Sequence, residues 1–334
     1  MNSSSFIDEC LYDFLSKYDF ICSIYILIGF ELEMKMLAVW VSSLRLKTIP
    51  LACCGIVTGN ALSMAYDHKV NLSIFIFSLL TAVALQVMSN LANDYGDVVK
   101  GTDKDKTIGA ERGLKEGLIT PQQMQIAIIF TGFIAIAFGI VLIILACHTF
   151  RDVIIFIMLG LLSMVAAILY TVGDKAYGYY GLGDLSVLLF FGYASVMGSF
   201  FLQTHHVGMY SFLPATAAGL LSVIVLNVNN IRDIDGDALY GKRTIPVRLG
   251  ALWSRYYHFA LLVASIAFLS CFAFFYARDN GYVWLFLLAL PLYFWNGYAV
   301  YHYRETAKLH KQLAVAIKIN IFTLSLFSIG LVLG

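Results

Sequence analysis

The stretch LSIFIFSLLTAVALQVMSNLANDYGD, residues 72–97, carries no charge until its twenty-third position and then delivers Asp94 and Asp97. An α-helix needs about 20 mostly apolar residues to cross the hydrocarbon core of a bilayer. The run is too long for a strand and too evenly apolar for a surface helix. Working outward from it gives nine such spans, at residues 39–66, 72–91, 124–147, 153–172, 185–203, 212–228, 253–277, 283–301 and 313–333. The first carries Arg45 and Lys47 near its start, and its entry into the membrane is expected around Pro50. Composition agrees: 60% of residues are hydrophobic and 13% charged, where a soluble domain is about a quarter charged. A net charge of +1 supplies no global field for a nucleic acid. The six cysteines (Cys10, Cys22, Cys53, Cys54, Cys147 and Cys271) contain no C-x-x-C pair, which argues against a zinc site or a disulfide framework.

Cations set the expected orientation. Fourteen Lys and Arg fall in or beside the loops joining spans two–three, four–five, six–seven and eight–nine, and Lys35, Arg45 and Lys47 lie at the entry to span one. Only Lys69, Arg151 and Arg278 lie on the other side. The expectation is a multi-pass protein of a bacterial cytoplasmic (inner) membrane, with those loops inside and the C-terminus outside. Residues 1–33 stand apart: six acids, Lys17 as the one cation, and an apolar run of eleven residues at 20–30. That run is too short to span and lacks the basic start of a signal peptide. The reading is a start of translation at Met34 or Met36, with an interfacial tether as the alternative, and residues 34–334 as a single transmembrane domain.

The polar residues collect in two loops that open alike. The second span ends in NLANDYGD (90–97), followed by VVKGTDKD (98–105), and the sixth in NVNNIRDIDGD (227–237). Each contains Asn-x-x-x-Asp, Asn93/Asp97 and Asn229/Asp233, and each adds a carboxylate, Asp103 or Asp237. Glycines and cations follow both: Gly109, Arg112 and Gly113 after the first, Gly241, Lys242 and Arg243 after the second. Residues four apart share a helical face, so Asn93 and Asp97 are expected together, as are Asn229, Asp233 and Asp237. Gly101 would let Asp103 fold back toward Asp97. Four spans separate the stations, so both emerge on one side, as in a parallel internal repeat. Facing carboxylates repel unless a cation lies between them. A hard, oxygen-rich set suits Mg²⁺ shared with a substrate phosphate, and neighbouring Lys and Arg suit the remaining phosphate charge. With apolar helices behind, the expected ligand is a lipid diphosphate. Any single Asp here reads equally as a solvated loop residue. The paired stations, so close to hydrocarbon, do not.

At these residues the sequence resembles the UbiA superfamily of intramembrane prenyltransferases, and within it the 1,4-dihydroxy-2-naphthoate polyprenyltransferases (MenA branch). The matching segments are LRLKTIP (44–50), NLANDYGD (90–97) with KGTD (100–103), YGYYGLGD (177–184), and NNIRDID (229–235) with GKRTIPVRLG (241–250). Asp174 departs from the pattern, standing where the family more often has Pro, and residues 1–33 have no counterpart. The resemblance implies an all-α bundle of nine transmembrane helices, with cytoplasmic cap loops between helices 2–3 and 6–7. It implies that Asp97, Asp103, Asp233 and Asp237 hold Mg²⁺ on a polyprenyl diphosphate, with Asp94 in support and Asn93 and Asn229 orienting it. Lys100, Lys242 and Arg243, and more weakly Arg232, would share the charge of the departing diphosphate. The allyl cation left behind would be attacked by the naphthoate ring with loss of CO₂. Arg45 and Lys47 would neutralise the aromatic acid's carboxylate, or serve only as inside-positive anchors. Tyr170 and Asp184 lie on the right side to line the aromatic site. For Asp184, helix capping is the better reading.

Two rivals are weighed against this. A secondary transporter with repeated halves would place its acids near the bilayer midplane, whereas these gather at one face. A sibling prenyltransferase acting on another ring such as 4-hydroxybenzoate would share the Asp stations but not their NDYGD and GKRT context. His205 and His206, on the opposite side, read as a polar turn.

Overall fold

The computed structural model describes residues 35–68, 70–100 and 117–334. Among them nine helices are long and apolar enough to cross a membrane: α1 Lys35–Asp67, α2 Leu72–Val99, α3 Pro121–Ala146, α4 Phe150–Leu169, α5 Gly183–Thr204, α6 Met209–Arg232, α7 Ile245–Tyr276, α8 Gly281–His302 and α9 Thr306–Leu333. They coincide with the nine expected spans, and most run on past the apolar stretch. The extension of α2 and α6 places both polar stations on or beside helix ends instead of in loose loops.

The helices divide into a post, a ring and a lipid-facing wall. Of the most apolar stretch of α6, 72% is buried, against 6% for α4. Helix α6 is therefore the post, with α5, α7 and α9 packed along it. Its small residues Ala215, Ala217, Ala218 and Gly219 permit that closeness. Around it Phe200, Leu221, Leu269, Phe272, Phe286 and Phe327 form one core, with the Phe272 and Phe327 rings edge to face at 5.3 Å. Helices α3 and α4 instead expose Phe130, Phe133, Ile144, Met158 and Leu162. In water such a face would be a liability; in lipid it is the only face a spanning helix can present.

Several local breaks shape the bundle. Arg45 adopts a left-handed conformation (φ 49, ψ 52), which stops the first part of α1. One turn of 3₁₀ helix follows at Leu46–Thr48, and the chain restarts as α-helix at Ile49 with Pro50 in its first turn. Pro is tolerated there because the first turn's N–H groups have no helical partner. Within α5, Leu188–Met197 is π-helical, a widened form that tends to occur at functional sites. In α7, Gly250 at φ 79 and ψ 167 breaks the helix five residues after it begins.

Contact between α1 and α5 is made by backbone. A Cβ on Gly59 would lie 2.2 Å from the carbonyl oxygen of Val196 and 2.1 Å from Ser199 Oγ, and one on Gly55 would lie 2.0 Å from Ser195 Oγ. Close backbone approach through small residues is how membrane helices associate without a hydrophobic drive. Gly59→Ala is accordingly expected to lose about 1–3 kcal/mol through overpacking, read as a lower melting temperature in detergent. Gly139→Ala, whose Cβ would meet nothing nearer than 3.9 Å, should melt close to wild type.

Candidate active site

Helix α2 runs unbroken through the first station to Val99, so Asn93 and Asp97 fall on one face as the spacing requires. Both border a cavity of about 1260 Å³. Asn93 is held from behind by Thr171, whose buried hydroxyl lies 3.1 Å from the Ala92 carbonyl and 3.2 Å from Asn93 Oδ1. Gly96 makes that contact possible, since a Cβ there would sit 2.7 Å from Thr171 Cβ. Asp94, on the neighbouring face, takes a 2.5 Å ion pair from Arg45 Nη2. The left-handed turn at Arg45 carries the guanidinium to that carboxylate. Asn90 braces the same turn, donating to the Leu44 carbonyl at 2.9 Å.

The second station is bent. Helix α6 ends at Arg232, Asp233 leaves the helical region (φ −98, ψ 10), and a short helix begins again over Ile234–Leu239. Asn229 and Asp233 border the cavity with Arg232 and Asn230. Asp237, expected on their face, turns toward Lys242, with Nζ 3.8 Å from Oδ1. The bend at Asp233 is the physical reason the three residues do not share one face. Arg232 grips Asp233 with two hydrogen bonds of 2.7 Å, donates to Asn229 Oδ1 at 2.9 Å, and lies 3.1 Å from His310 Nδ1 on α9. The role of Arg232 is thus larger than a lone cation near the ligand: it joins the station to another helix.

Further cations lie beside the stations. Lys242 is buried and borders the cavity. Burial works against its charge, but Asp97 and Asp237 outweigh that and hold its pKa above the ordinary lysine value. Lys100 shifts the other way: desolvation dominates, only partly offset by Asp174 and Asp97, and Lys242 adds repulsion. Tyr179 stands between the two amines, its ring 3.9 Å from Lys100 Nζ and 5.6 Å from Lys242 Nζ, its hydroxyl 3.5 Å from Asp97 Oδ1. Ammonium groups over an aromatic face are attracted by its quadrupole, so one ring keeps two like charges close together. Lys100 and Arg243 do not border the main cavity. They line a smaller hollow of about 290 Å³ at its rim, where the Arg243 backbone N–H bonds the Tyr179 carbonyl at 2.9 Å.

Tyr170 borders the cavity. Its ring packs on Gly178 and Gly183, and burial lifts its phenol to about 12 despite the opposing pull of Lys242. Lys47 and Arg45 also border the cavity. Asp184 does not cap its helix: it lies in the first turn of α5 and accepts a 2.8 Å hydrogen bond from Tyr257 on α7. Asp103 lies outside the described residues. Three contributors escaped the sequence reading. Tyr179 stood inside the quoted YGYYGLGD segment, so its signal was present. Thr171 carries no charge, and His310 sits among cations that served to set orientation.

From this polar end the cavity continues between apolar walls to Ser78, Leu142, Phe156 and Leu202. Asp97 and Ser78 lie on one helix nineteen residues apart, roughly 28 Å along its axis at 1.5 Å per residue. The floor is closed by packing of Ile74, Leu142, Ala146 and Leu202, with Gln203 bonded to Asn60 beside it at 2.7 Å. The arrangement is a slot with one charged end and one greasy end.

Residues 52–326 match the UbiA prenyltransferase family. This chain belongs to that family. It is 45% identical to the 1,4-dihydroxy-2-naphthoate octaprenyltransferase of Escherichia coli (strain K12), covering 91% of this chain and 98% of that one. It is 43% identical to the protein of the same name from Haemophilus influenzae, covering 89% and 97%. In structure this UbiA-family prenyltransferase resembles an apo UbiA homolog from Aeropyrum pernix K1 (TM-score 0.65, 16% identity, 84% and 97% covered). It also resembles a UbiA homolog from Archaeoglobus fulgidus bound to DMAPP and Mg²⁺ (TM-score 0.54, 12% identity, 87% and 99% covered). At those identities the likeness concerns the fold.

The Thr171 contact is testable. Thr171→Val keeps the volume and removes the hydroxyl, and is expected to lower kcat/KM for prenyl transfer about three- to tenfold, the worth of one neutral hydrogen bond. Thr171→Ser should stay near wild type. Purified variants with matched melting temperatures make the comparison.

Proposed function

We propose that the chain transfers a polyprenyl group from a polyprenyl diphosphate to 1,4-dihydroxy-2-naphthoate, releasing diphosphate and CO₂ and giving demethylmenaquinol, a step of menaquinone synthesis. The observation that carries this reading is the slot itself, in which two oxygen-rich stations and buried cations meet at one end of an apolar cavity about as long as a membrane is thick. A diphosphate with a long hydrocarbon tail satisfies both ends at once. The naphthoate is supported by the relatives' names and by their nearly full-length match. Residues 34–334 would act as one domain in the inner membrane, with the stations facing the cytoplasm and the C-terminus outside, supported by the distribution of cations.

Among the described residues no three His, Cys, Asp or Glu side chains converge on one point. Mg²⁺ does not need such a cage, because it takes one or two carboxylates together with water and substrate phosphate. Asp97 at one station and Asp233 at the other border the shared cavity, and with Asn93 and Asn229 they form a hard-oxygen set that fits it. Asp97 and Asp233, supported by Asp94 and Asp237 and, on the sequence pattern alone, by Asp103, would hold the metal, which would supply Lewis-acid stabilisation of the leaving diphosphate.

The chain's own groups do the rest. Asn93, fixed by Thr171, and Asn229, fixed by Arg232, orient the diphosphate. The allylic C–O bond breaks with its electron pair going to the diphosphate. The ring carbon bearing the carboxylate attacks the allyl cation, and loss of CO₂ returns its bonding pair to the ring. No proton has to be removed, and one negative charge moves from the aromatic acid to the diphosphate. Lys242 on the cavity wall, with Lys100 and Arg243 at the rim, meets that charge where it develops. Tyr170 remains a neutral phenol at physiological pH and would pack beside the ring. The apolar walls exclude water that would otherwise capture the cation.

The deciding assay is purified protein in detergent with Mg²⁺, a polyprenyl diphosphate and a panel of aromatic acids, scored by product mass. The naphthoate product is expected, abolished by chelation and restored by Mg²⁺. Asp97→Ala and Asp233→Ala should each lower turnover by about 100-fold or more while the protein still inserts. A product formed only from 4-hydroxybenzoate would assign the sibling activity instead. Solute uptake by proteoliposomes without prenyl transfer would make the protein a transporter.

A further inference from the structure

Once the stations are accounted for, one wall of the cavity still carries donors that the diphosphate chemistry does not use. It is formed by the 3₁₀ turn within α1 and the first turns of α9, through Lys47, Thr48, His310, Leu313, Ala314 and Ile317. Arg45 is committed to Asp94, and Arg232 to Asp233 and Asn229. Lys47 has no acidic partner among the described residues. The charged groups near enough to act on His310 are Arg232, Lys47 and Asp233.

His310 is held in one chemical form. Its Nδ1 lies 3.1 Å from Arg232 Nη1, and a guanidinium can only donate. Nδ1 must therefore accept, which leaves the imidazole's hydrogen on Nε2. That N–H has no partner among the described residues, and the half-buried ring borders the cavity. Arg232 is itself fixed by three hydrogen bonds to Asp233 and Asn229, so the imidazole is steadied by the station it adjoins.

We infer that His310 is a binding residue for the aromatic acid, donating from Nε2 to an oxygen of its carboxylate or adjacent hydroxyl while Lys47 neutralises the carboxylate and Leu313, Ala314 and Ile317 receive the ring face. The inference rests on the aromatic prenyl transfer proposed above and adds the residue that selects the acceptor. It gives the two anionic substrates separate cations. The diphosphate has Lys242 beside the stations and Lys100 at the rim, and the aromatic acid has Lys47 with the His310 N–H on the α1–α9 wall. A donor that is already a neutral tautomer binds an anion without having to gain a proton.

The test separates the KM values of the two substrates in wild type, His310→Ala and His310→Gln, the last because its amide keeps an N–H at about the reach of Nε2. His310→Ala is expected to raise KM for the aromatic acid about ten- to a hundredfold, as for a hydrogen bond to a charged group, and to leave KM for the prenyl diphosphate within about twofold. His310→Gln should recover most of the loss. An unchanged aromatic KM in His310→Ala overturns the inference. So does a shift confined to the prenyl diphosphate, which would make His310 a prop for Arg232 and Asp233. A His310→Gln variant as impaired as His310→Ala, with an equally lowered melting temperature, overturns it as well, by making the role structural. A wild-type enzyme that prenylates no aromatic acid removes the proposed function and this inference together, and that result is distinct because it appears before any substitution is made.

Discussion

Carboxylates at the end of an apolar helical bundle are stable only where positive charge comes with them, and this matching organises the molecule. An isolated buried carboxylate would cost several kcal/mol or take up a proton. Here Arg45 meets Asp94, Arg232 meets Asp233, and Lys242 sits between Asp97 and Asp237. Each cation comes from a segment other than the α2 and α6 helix bodies or from their very ends, so satisfying the acids also fixes how α1, α6 and the start of α7 approach α2. The charged end, the proposed reactive end, is also the place where the bundle's halves are tied.

The polar ties extend beyond the cavity. Asn227, two residues before Asn229, lies 3.3 Å from the buried His258 on α7, which bonds Asn296 on α8 at 2.9 Å. Asn296 donates to Gln312 on α9 at 3.1 Å. Helix α9 thereby meets the second station twice, through Gln312 inside the bundle and through His310 at the cavity wall. Membrane helices gain little from apolar contact alone, and hydrogen bonds between them contribute about 1 kcal/mol each. This relay therefore orients α7, α8 and α9 around the post and gives the last three helices a part in shaping the site.

The fold was legible because the bilayer leaves few choices. Nine apolar runs of sufficient length permit only helices, and their places emerged to within a few residues at most ends. The Asn93/Asp97 pair was legible for the same kind of reason, since α2 stays helical through it. The bend at Asp233 was not, because the run from Asn229 to Asp237 holds no proline to announce a break, and it turned Asp237 toward Lys242. Thr171 and Gly96 were illegible one at a time, because their meaning is the distance between two elements far apart in sequence. His310 and Tyr179 show the opposite failure: both residue types drew notice, but a histidine in a basic loop and a tyrosine in a glycine-rich one have innocent readings until their neighbours are known.

Charge conservation in the proposed reaction would account for cations that fall in two groups. In the proposed reaction the aromatic acid would arrive with one negative charge and leave without it, and the diphosphate would depart with one more than it brought as part of the ester. A single pool of cations would bind both anions at the start and would have to release one as the other gained charge. With Lys47 and the His310 N–H on one wall, Lys242 on another and Lys100 at the rim beyond Tyr179, each anion of the proposed reaction would keep its own partners while electrons move between them. Binding of the first substrate would then leave the second substrate's donors in place. The Tyr179 ring lets two ammonium groups stay close without a ligand, so the stabilisation of a diphosphate would be built in advance of the charge it serves.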